Sequence, residues 1–472
     1  MSPGPKVVII GAGSYFFGGP VIRNMAVNPH LRHGTLALVD TDPEVLATME
    51  RLAREAFRHL DAPTRLEAAT DRREVLAGAD FVVPSFSRDN TRYRGLDCTV
   101  ADRWGIRMCS GDTIGPGGIF RALREIPELL AIAADVAELC PYAWLMNYVN
   151  PSSVLGIALA KYAPAVRSFA LCDGPHEPHK TLRLLKRVGL LPEDAEGVPP
   201  AMRARLDLRR SGINHFSWVV RFAYEGRDMM PVLRERIAES AERERRETAV
   251  VADSLDVHQN AAAKGRFNAC YTLQLMDLFG AYPDCMAHTK EYVPFYQGLG
   301  HSPIDPEPIK VFDAEDRQQQ MDRKWQRTIE ASQGGEALAA FIGEQRDDHA
   351  TDIIASMWGG LGKVFAINCP NRGAVPNMPD DAFLELHSHL GMAAIQPLPV
   401  GDLPVGVRGL CQRILDSHEL TADAAVACQR SVLQRACAVD PIMPNLGDND
   451  RIIDELLAAC REVLPAAWYA EG

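Results

Sequence analysis

A glycine-rich turn near the N-terminus could hold a phosphate group. Gly11, Gly13 and Ser14 follow a short apolar run and precede a helical pattern. Gly11 would allow a tight turn, and Gly13 would let backbone N–H groups approach a pyrophosphate at the positive end of the helix. The third glycine of the usual spacing is absent, because Phe16 stands there. The turn predicts a dinucleotide site, and a purely structural turn is the alternative.

An acidic residue at the end of the next predicted strand supports the same prediction. Asp40 stands where a carboxylate accepts hydrogen bonds from the ribose diol of NAD. A negative charge at this point also disfavours the 2′-phosphate of NADP. The structural alternative is an acid that caps the following helix. Because strand, turn, helix and acid occur in the order of a dinucleotide-binding unit, we expect NAD as the cofactor.

A thiol and an imidazole could form a metal site. Cys172 follows a predicted strand, and His215 precedes an apolar run in the second half of the chain. As thiolate and imidazole they could bind a divalent transition metal together. Taken singly, such a cysteine is more often a buried small side chain, and such a histidine is more often a hydrogen-bonded structural residue. Their separation in sequence does not show whether they meet.

Three further segments carry more glycine and polarity than a fold alone requires. Gly111–Ile119 is glycine-rich and precedes a helical pattern, so we expect a flexible turn that suits a sugar or a phosphate. Asn147 and Asn150 follow a predicted strand, where open α/β sheets bind ligands and where amide groups can serve hydroxyls. The third segment is His288–Tyr292.

The elements that position these residues alternate between apolar strands and helices in the first half of the chain. The predicted strands are Lys6–Ile10, Leu36–Asp40, Leu66–Ala69, Phe81–Ser85, Trp144–Tyr148 and Ser168–Leu171, and the predicted helices are Tyr15–Asn28, Pro43–Leu60, Arg73–Ala77 and Ala122–Glu138. Continuous apolar strands suit a parallel sheet that is covered on both faces. The pattern therefore predicts an α/β, Rossmann-like, doubly wound parallel sheet in residues 1–195.

The second half, residues 196–472, is expected to be a mixed, mostly helical α+β domain. Its predicted strands are Ala204–Leu208 and Phe216–Ala223, and its predicted helices are Met230–Arg246, Val257–Leu278, Glu315–Ile329, Glu336–Trp358, Asp381–Ala394 and Ala422–Val439. Phe295–Pro308 is rich in proline and glycine and is expected to be a loop. The whole arrangement is like that of lactate and malate dehydrogenases.

Composition excludes several classes of protein. The 472 residues include 50 Lys+Arg and 62 Asp+Glu, so the net charge of −12 disfavours a nucleic-acid partner. No apolar run approaches the ~18 residues of a membrane span, and the N-terminus does not resemble a signal peptide. The eleven cysteines are scattered without CxxC pairs, so neither a disulfide framework nor a zinc ribbon is expected. We expect a cytoplasmic protein from a reducing compartment.

Together these motifs resemble those of glycoside hydrolase family 4, the NAD- and metal-dependent glycosidases. The resemblance covers most of the chain and follows the motif order VVIIGAGS, GDTIGPGGIFRALREIP, NYVNP, Cys-Asp, GINHFSW and NRGAVPN. It implies NAD and Mn²⁺, or another divalent metal, as cofactors and a small-molecule glycoside as substrate. It also implies a homodimer or a homotetramer.

The resemblance further implies an unusual route for a net hydrolysis. In this family NAD⁺ takes hydride from C3 of the sugar, and the resulting ketone acidifies the C2 proton. A base removes that proton while the divalent metal stabilises the enolate. The aglycone leaves from C1, water adds to the double bond, and NADH returns the hydride. The cofactor's redox chemistry thus serves a reaction with no net oxidation.

Site roles follow from the same resemblance, residue by residue. Cys172 and His215 match the two metal ligands, and a thiolate ligand agrees with a reducing compartment. Asp173 matches the general acid of the phospho-glucosidase members. The other matches are Asn150 to a substrate-binding asparagine, Arg94 to an arginine that contacts sugar or phosphate, and Asp112 to an acid that raises the basicity of the catalytic base.

Two features leave the substrate open. Matching Tyr292 to the later aromatic of the base segment places His288 at the position of the C2 base, so His288 is the first choice and Tyr292 the second. The galacto-type members have this base segment but usually carry His after the ligand cysteine, where this chain has Asp173. The amino-acid sequences of the motifs are most similar to those of α-galacturonidase-like members. Sugar, anomer and 6-substituent stay undetermined, with Arg94, Arg121 and Arg124 as candidate partners of an anionic group.

Two other functions compete with the glycosidase. An NAD-dependent dehydrogenase of the malate or lactate type shares the expected fold and turn, but it does not account for Cys172 or for the glycine-rich segment. It would produce NADH with its substrate, whereas the glycosidase would produce none at steady state. An NAD-sensing binding module would bind cofactor without turning over any glycoside.

Overall fold

The computed structural model describes residues 4–14, 18–111, 113–172, 177–246, 268–285, 288–297, 309–345, 348–443 and 445–470. Phe16, Asp112 and Asp173 lie outside these ranges. The first part of the predicted helix Val257–Leu278 and most of the predicted loop Phe295–Pro308 lie outside them as well.

Six parallel strands form the N-terminal half of the sheet. They are β1 (Lys6–Ile10), β2 (Thr35–Val39), β3 (Arg65–Ala69), β4 (Phe81–Pro84), β5 (Trp144–Asn147) and β6 (Arg167–Ala170). Their order is β3-β2-β1-β4-β5-β6, which is the Rossmann order. Consecutive residues Val7 and Val8 on β1 point to opposite faces and are both fully buried. The sheet is therefore covered on both sides, as its continuous apolar strands require.

Helices connect these strands and also follow the last of them. They are α1 (Gly18–Val27), α2 (Pro43–His59), α3 (Arg73–Leu76), α4 (Asn90–Arg103), α5 (Gly115–Leu139), α6 (Ser152–Tyr162), α7 (His179–Arg187) and α8 (Pro200–Arg203). The sequence pattern does not predict α4, α6 or α7. Residues 152–156 of α6 are all buried. The helix therefore lacks the alternation of polar and apolar residues by which an amphipathic helix is predicted from sequence.

The glycine-rich segment is a helix start rather than a flexible turn. The expectation for Gly111–Ile119 was wrong over its second part, because Gly115–Ile119 form the beginning of α5. A Cβ on Gly117 would lie 2.6 Å from the carbonyl oxygen of Gly111, and one on Gly118 would lie 2.2 Å from the carbonyl carbon of Thr113. The glycines therefore let the first turn of α5 pack directly on the loop that precedes it.

The second half of the chain extends the same sheet with antiparallel strands. They are β7 (Leu206–Ile213), β8 (Phe216–Tyr224), β9 (Arg227–Asp228), β10 (Tyr282–Pro283), β11 (Val364–Pro370), β12 (Phe383–Leu390) and β13 (Ile395–Pro397). Beyond β6 the order is β11-β12-β7-β8-β10, while β13 pairs with β12 and β9 with β8. The described residues thus form one sheet of thirteen strands.

The remaining described elements are mostly helical. They are α9 (Met230–Arg246), α10 (Asn268–Phe279), α11 (Ala314–Ser332), α12 (Gly335–Glu344), α13 (His349–Gly359), α14 (Val405–Ala427), α15 (Arg430–Val439) and α16 (Leu446–Ala459), with 3-10 turns at Thr289–Tyr292, Pro294–Tyr296 and Ala466–Tyr469. The predicted helix Met230–Arg246 has these bounds in the structure. The pattern does not predict β11 or α16.

Three predicted helices of this half were wrong. Asp381–Ala394 contains strand β12, which pairs with β11 on one side and β7 on the other. Glu336–Trp358 contains two helices, and the side chain of Asp348 caps the second by accepting from the backbone N–H of Thr351. Ala422–Val439 ends one helix and begins another, because Cys428 adopts a left-handed conformation with φ of 51°.

The predicted fold class is confirmed. Parallel strands in Rossmann order are followed by a mixed, mostly helical second part. All eleven cysteines lie in the described residues, and none of them forms a disulfide bond there. Within the described residues, none of the helices has the length and apolar character needed to cross a bilayer.

Candidate active site

A cleft of about 1180 Å³ opens where β1, β2, β4 and β6 end. Ligands of open α/β sheets bind at this edge, outside the carboxyl ends of the strands. Its lining includes, from the predicted site residues, Gly11, Gly13, Ser14, Asp40, Arg94, Asn150, Cys172, His215 and His288. The sequence-predicted cofactor, metal and base residues are thus brought to one cavity.

The glycine turn has the close contacts of a nucleotide-binding loop. Gly11 has a φ of +91°, and a Cβ on it would lie 2.6 Å from the carbonyl oxygen of Ser85 at the end of β4. A Cβ on Gly13 would lie 2.4 Å from Cγ1 of Val45. Neither position has room for a side chain, so backbone N–H groups border the cleft directly.

Asp40 connects the end of β2 to this turn. Its Oδ2 accepts a hydrogen bond from the backbone N–H of Gly13 at 2.9 Å, and its Oδ1 accepts one from Asp42 at 3.1 Å. The carboxylate therefore fixes the position of the glycine turn while it lines the cleft. This arrangement fits the adenosine half of NAD, which needs a bare backbone turn and an acid at the end of the second strand.

Cys172 and His215 meet at the other end of the cleft. The Sγ of Cys172 lies 3.3 Å from Nε2 of His215, and both side chains are buried. The contact depends on a row of paired residues that crosses five strands, namely Ala170, Asn368, Glu385, Gly212 and Ser217. Cys172 leaves the sheet just beyond one end of this row, and His215 lies in the hairpin turn beside the other. A thiol and an imidazole at this distance fit a divalent transition metal.

The hairpin that presents His215 has an uncommon backbone. Between β7 and β8 the turn consists of Asn214 and His215, and His215 adopts a φ of 63°. Residues other than glycine adopt this conformation in only a few per cent of cases, with Asn, Asp and His the most frequent among them, and it is concentrated at functional sites. Gly212 makes the tight hairpin possible, because a Cβ there would lie 2.3 Å from the carbonyl oxygen of Phe216.

His288 lies against the same imidazole. The rings of His215 and His288 stack with centroids 4.3 Å apart and an interplanar angle of 25°. Nδ1 of His288 lies 3.6 Å from Oε2 of Glu291, and the Glu291 carboxylate accepts from the backbone N–H groups of Ser110 and Gly111, each at 3.0 Å. Glu291 therefore joins His288 to the loop that precedes α5.

The two asparagines are placed differently. Asn150 lines the cleft, precedes a cis proline, and accepts from the backbone N–H and the hydroxyl of Ser152 through Oδ1. Asn147 is fully buried, and it is not among the described residues that line the cleft. Its amide instead makes two hydrogen bonds with the backbone of Val149, at 3.0 and 3.1 Å. Asn147 thus shapes the loop that carries Asn150.

Tyr292 packs behind the site. Its ring stacks on Phe216 with centroids 5.6 Å apart, and its side chain is buried. Among the described residues that line the cleft, His288 is present and Tyr292 is not. The geometry therefore favours His288 of the two candidate bases. Asp112 and Asp173, the two predicted acids, lie outside the described residues.

The three arginines fall into two groups. Arg94 on α4 and Arg121 on α5 line the cleft, and Arg94 also donates to Ser110 and lies over the ring of Phe312 at 4.3 Å. Arg124 is buried and makes two hydrogen bonds with the carboxylate of Asp97 at 3.1 and 2.5 Å. Arg124 is therefore neutralised within the fold, while the other two arginines are part of a cleft lining that also contains carboxylates.

Glu291 was not among the sequence-predicted site residues. Its signal in the sequence is the three-residue spacing from His288, which places two side chains on the same side of one helical turn. The 3-10 turn Thr289–Tyr292 begins directly after His288 and provides this spacing. A buried acid beside a histidine is the usual orienting partner of a catalytic imidazole.

Two family profiles account for most of the chain. "Family 4 glycosyl hydrolase" matches residues 6–188, and "Family 4 glycosyl hydrolase C-terminal domain" matches residues 211–443. The chain belongs to glycosyl hydrolase family 4. The resemblance seen in the motifs is therefore confirmed, and the dehydrogenase alternative is not favoured.

Several curated members of this family match nearly the full length. An α-galacturonidase of Bacillus subtilis (strain 168) is 28% identical over 460 residues, with 96% of each chain covered. An α-galactosidase of the same organism is 26% identical, with 98% of this chain and 99% of the relative covered. Identity at this level is similar for relatives with different substrates, so it does not select one sugar.

Solved structures show the same fold. The crystal structure of lplD from Bacillus subtilis has a TM-score of 0.80 at 26% identity and covers 97% of this chain and 100% of its own. A 6-phospho-alpha-glucosidase from gut microorganisms, solved in complex with NAD and Mn²⁺, has a TM-score of 0.77 at 20% identity. The match covers 98% of this chain and 99% of that structure.

Proposed function

We propose that this protein is an NAD- and Mn²⁺-dependent glycosidase that cleaves a small glycoside by oxidation at C3, elimination across C1 and C2, addition of water and re-reduction. The observation that carries the proposal is the 3.3 Å contact between Cys172 and His215 in the cleft that also contains the glycine turn and Asp40. A dinucleotide site and a metal-type donor pair in one cavity are what this route requires.

The two cofactors fit the residues that are present. Gly11, Gly13, Ser14 and Asp40 would hold NAD, and Cys172 and His215 would hold the divalent cation. When bound, they would supply reversible hydride transfer at C3 and stabilisation of the negative charge that develops beside C2. Neither task can be performed by the side chains of the cleft alone.

Protein groups would handle the protons of the reaction. His288 would accept the proton from C2, since it lines the cleft beside His215 and has Glu291 3.6 Å from its Nδ1. The hydrogen bonds from Ser110 and Gly111 would keep the Glu291 carboxylate in place for this task. Asp173 would donate a proton to the leaving oxygen at C1, and Asp112 would support the base. Tyr292 is the second candidate for the base.

The substrate we propose to test first is an α-galacturonide. Four of the curated relatives are named alpha-galacturonidase. Arg94 and Arg121 line the cleft and would attract a carboxylate at C6. Asn150, in the same lining, would serve sugar hydroxyls. The same charges would also accept a 6-phosphate, so phosphorylated glycosides belong in the same assay.

The remaining parts of the proposal concern the whole molecule. We infer a cytoplasmic protein, since a thiolate ligand needs a reducing compartment. We also infer a homodimer or a homotetramer with no nucleic-acid or membrane partner. Residues 1–195 are proposed as the NAD domain, and residues 196–472 as the domain that completes the substrate and metal site and mediates assembly.

The test is hydrolysis of nitrophenyl glycosides, uronides and 6-phospho-glycosides with NAD⁺, Mn²⁺ and a reductant in D₂O. The expected result is cleavage without net NADH and with one deuterium at C2 of the product sugar. A product with hydrogen at C2 would exclude the elimination route, and net NADH would indicate a dehydrogenase.

Matched variants test the assignment of the base. His288→Gln should abolish exchange of the C2 hydrogen with solvent, while Tyr292→Phe should retain it, because Tyr292 packs on Phe216 outside the cleft lining. The opposite result would transfer the role of the base to Tyr292.

A further inference from the structure

A second group of potential metal donors lies beside Cys172 and His215. It consists of Cys109, His288 and Glu291, which are all buried and each offer one donor atom within 4.8 Å of the others. The Sγ of Cys109 lies 3.3 Å from Oε2 of Glu291, and Nδ1 of His288 lies 3.6 Å from the same oxygen. One carboxylate oxygen is thus shared by a thiol and an imidazole.

We propose that these three residues form a second metal site, which takes Zn²⁺ and thereby withdraws His288 from its role as the base. The binding of Zn²⁺ is independent of the proposed function, whereas its effect on catalysis rests on that function. Thiolate, imidazole and carboxylate are the protein ligands that Zn²⁺ uses. The thiolate and the carboxylate also carry two negative charges between them, which offset the charge of a buried dication.

The spacing of the donor atoms matches a tetrahedral site. Zn–S bonds of about 2.3 Å and Zn–N or Zn–O bonds of about 2.0–2.2 Å separate the ligand atoms by about 3.3–3.7 Å at tetrahedral angles. The two separations from Oε2 of Glu291, 3.3 and 3.6 Å, lie in this range. The third separation, between the donor atoms of Cys109 and His288, is at most 4.8 Å. Binding therefore requires a movement of only about 1 Å to reach these bond lengths.

The carboxylate of Glu291 is oriented for this task. Both backbone hydrogen bonds that it accepts, from Ser110 and Gly111, end on Oε1, and Oε2 is left for the thiol and the imidazole. Hydrogen bonds of this kind hold a metal ligand in place and strengthen binding. The thiol of Cys109 donates its hydrogen to Oε2. The cation would take the place of this proton, which leaves to solvent.

A cation reaches this group through the cleft but binds apart from the first site. Cys109 and His288 are among the residues that line the cleft. The rings of His215 and His288 stack at 25°, with centroids 4.3 Å apart. Because the lone pair of an imidazole nitrogen lies in the plane of its ring, the two rings direct their lone pairs along nearly parallel planes. One cation therefore does not bind both imidazoles.

Occupation of the second site changes the chemistry of His288. Its Nδ1 is buried, so Nε2 is the nitrogen that faces the substrate. When Nδ1 binds a cation, the remaining ring hydrogen lies on Nε2. An imidazole in this state has no lone pair left to accept the C2 proton. Zn²⁺ would therefore inhibit the reaction at the proton transfer.

The first test is a titration of the full-length apoprotein with Zn²⁺ against a chromophoric chelator, under a phosphine reductant. We expect the wild type to bind two equivalents and Cys172→Ser, which disables the first site, to bind one. Adding Cys109→Ser to the Cys172→Ser protein should lower the remaining affinity by ~10-fold or more, since a ligand contributes at least as much as a partner that orients it.

Glu291→Gln is the most specific variant, and Cys285→Ser is its matched control. In Glu291→Gln the amide oxygen can keep both backbone hydrogen bonds of Oε1, while an NH₂ group that cannot bind a metal replaces Oε2. In the Cys172→Ser protein this change should lower the affinity as Cys109→Ser does. A donor atom of Cys285 also lies within 4.8 Å of His288, but Cys285 is not among the described residues that line the cleft. Cys285→Ser should leave the affinity unchanged.

The outcomes separate the two metal sites. Full affinity in the Cys172→Ser protein after either Cys109→Ser or Glu291→Gln would refute the second site, and so would a loss of affinity after Cys285→Ser. If Cys172→Ser still binds two equivalents and Cys109→Ser removes one of them, the second site stands and the proposed first site fails.

A measurement on the wild type guards against a variant that does not fold. Alkylation of Cys109, in the cleft lining, and of Cys270, a half-buried thiol, can be followed by mass spectrometry of peptides. Saturating Zn²⁺ should slow alkylation of Cys109 by ~10-fold or more, since a metal-bound thiolate in an ordered site is withdrawn from reaction. Alkylation of Cys270 should not change. Equal protection of the two thiols would overturn the inference.

Inhibition tests the effect on catalysis. Zn²⁺ is added to the glycoside assay with NAD⁺ and excess Mn²⁺, and the concentration for half-inhibition is taken relative to each protein's own rate. Cys109→Ser should need ~10-fold or more Zn²⁺ than the wild type, in line with its lost affinity, and Cys285→Ser should need the same. Equal concentrations for Cys109→Ser and the wild type would show that Zn²⁺ acts at the first site, and would overturn the inhibitory role.

Discussion

The buried ion pair between Asp97 and Arg124 should be the most mutation-sensitive polar contact beneath the cleft. Asp97 lies on α4 three residues after Arg94, and Arg124 lies on α5 three residues after Arg121. The carboxylate accepts two hydrogen bonds, at 3.1 and 2.5 Å, and neither side chain has appreciable exposure. The pair therefore joins the two helices that present the cleft arginines.

The expected cost of breaking this pair follows from its burial. Burial raises the pKa of Asp97, and the guanidinium of Arg124 opposes that rise. Two unit charges ~4 Å apart attract by ~4 kcal/mol at an effective dielectric constant of ~20. Asp97→Asn removes this attraction and leaves Arg124 charged in the interior. We expect the free energy of unfolding to fall by about 3–5 kcal/mol, as for other buried pairs that lose one partner.

Urea unfolding, followed by far-ultraviolet circular dichroism, measures this change. The control is the double variant Asp97→Leu/Arg124→Met, which replaces both charges with apolar groups of similar volume. Such replacements are commonly neutral or stabilising, so the double variant should be at least ~2 kcal/mol more stable than Asp97→Asn. A loss below ~1 kcal/mol for Asp97→Asn, typical of exposed pairs, would refute the reasoning. A double variant as unstable as the single one would refute it as well.

Three other changes test the cofactor loop and the pH dependence of stability. Asp40→Ala should weaken NAD⁺ binding ~10-fold or more in calorimetry, because a hydrogen bond to a charged group contributes about 1.5–3 kcal/mol. The ratio of the affinity for NAD⁺ to the affinity for NADP⁺ should also fall. Gly11→Ala should abolish NAD⁺ binding in the same assay, since its Cβ would lie 2.6 Å from a backbone oxygen. Burial lowers the pKa of His418 from 6.5 to about 4. Between pH 6.5 and pH 4 the unfolded chain therefore binds more protons than the folded protein. Lowering the pH through this range should reduce the free energy of unfolding, measured with urea, by up to about 3 kcal/mol. His418→Gln should remove this reduction.

Each of these predictions has a matched control. Asp42→Ala removes an exposed helix cap and should leave NAD⁺ affinity unchanged. Gly78→Ala has a similar φ of +73° but no atom within 4 Å, so it isolates backbone strain from the clash. Burial raises the pKa of Asp440 from 3.8 to about 6. Between pH 3.8 and pH 6 this carboxyl group therefore makes the folded protein more stable as the pH falls, which is opposite to the effect of His418. The difference between wild type and His418→Gln cancels that contribution, and identical pH profiles would contradict the assignment.

The parallel half of the fold could be predicted because its strands are short, mostly apolar and bounded by helices. Strands β1 to β6 lie within two residues of their predicted bounds at each end. The glycine turn and Asp40 were also found in this way, since a parallel sheet fixes where a turn after β1 and an acid after β2 must lie. Local sequence is sufficient here because neighbouring elements in the chain are neighbours in space.

The second half could not be predicted as well, because its sheet is built from distant segments. The segment Phe383–Leu390 was predicted as helix, yet its burial follows from β11 and β7 on either side. Strand propensity depends strongly on such tertiary partners. The glycines of Gly115–Gly118 likewise predict a flexible turn, although contacts with Gly111 and Thr113 make them the start of α5.

The same limitation explains why the spacing of Cys172 and His215 in the sequence does not predict their contact. Along the sheet, β11 and β12 lie between β6, which precedes Cys172, and β7, which precedes His215. Both inserted strands come from residues 364–390, more than 140 positions after either side chain, and the sequence pattern predicts neither of them as a strand. The donor pair therefore depends on a late part of the chain that contributes no metal donor of its own. Substitutions in β11 or β12 that disturb the row from Ala170 to Gly212 should loosen metal binding before they unfold the NAD-binding half.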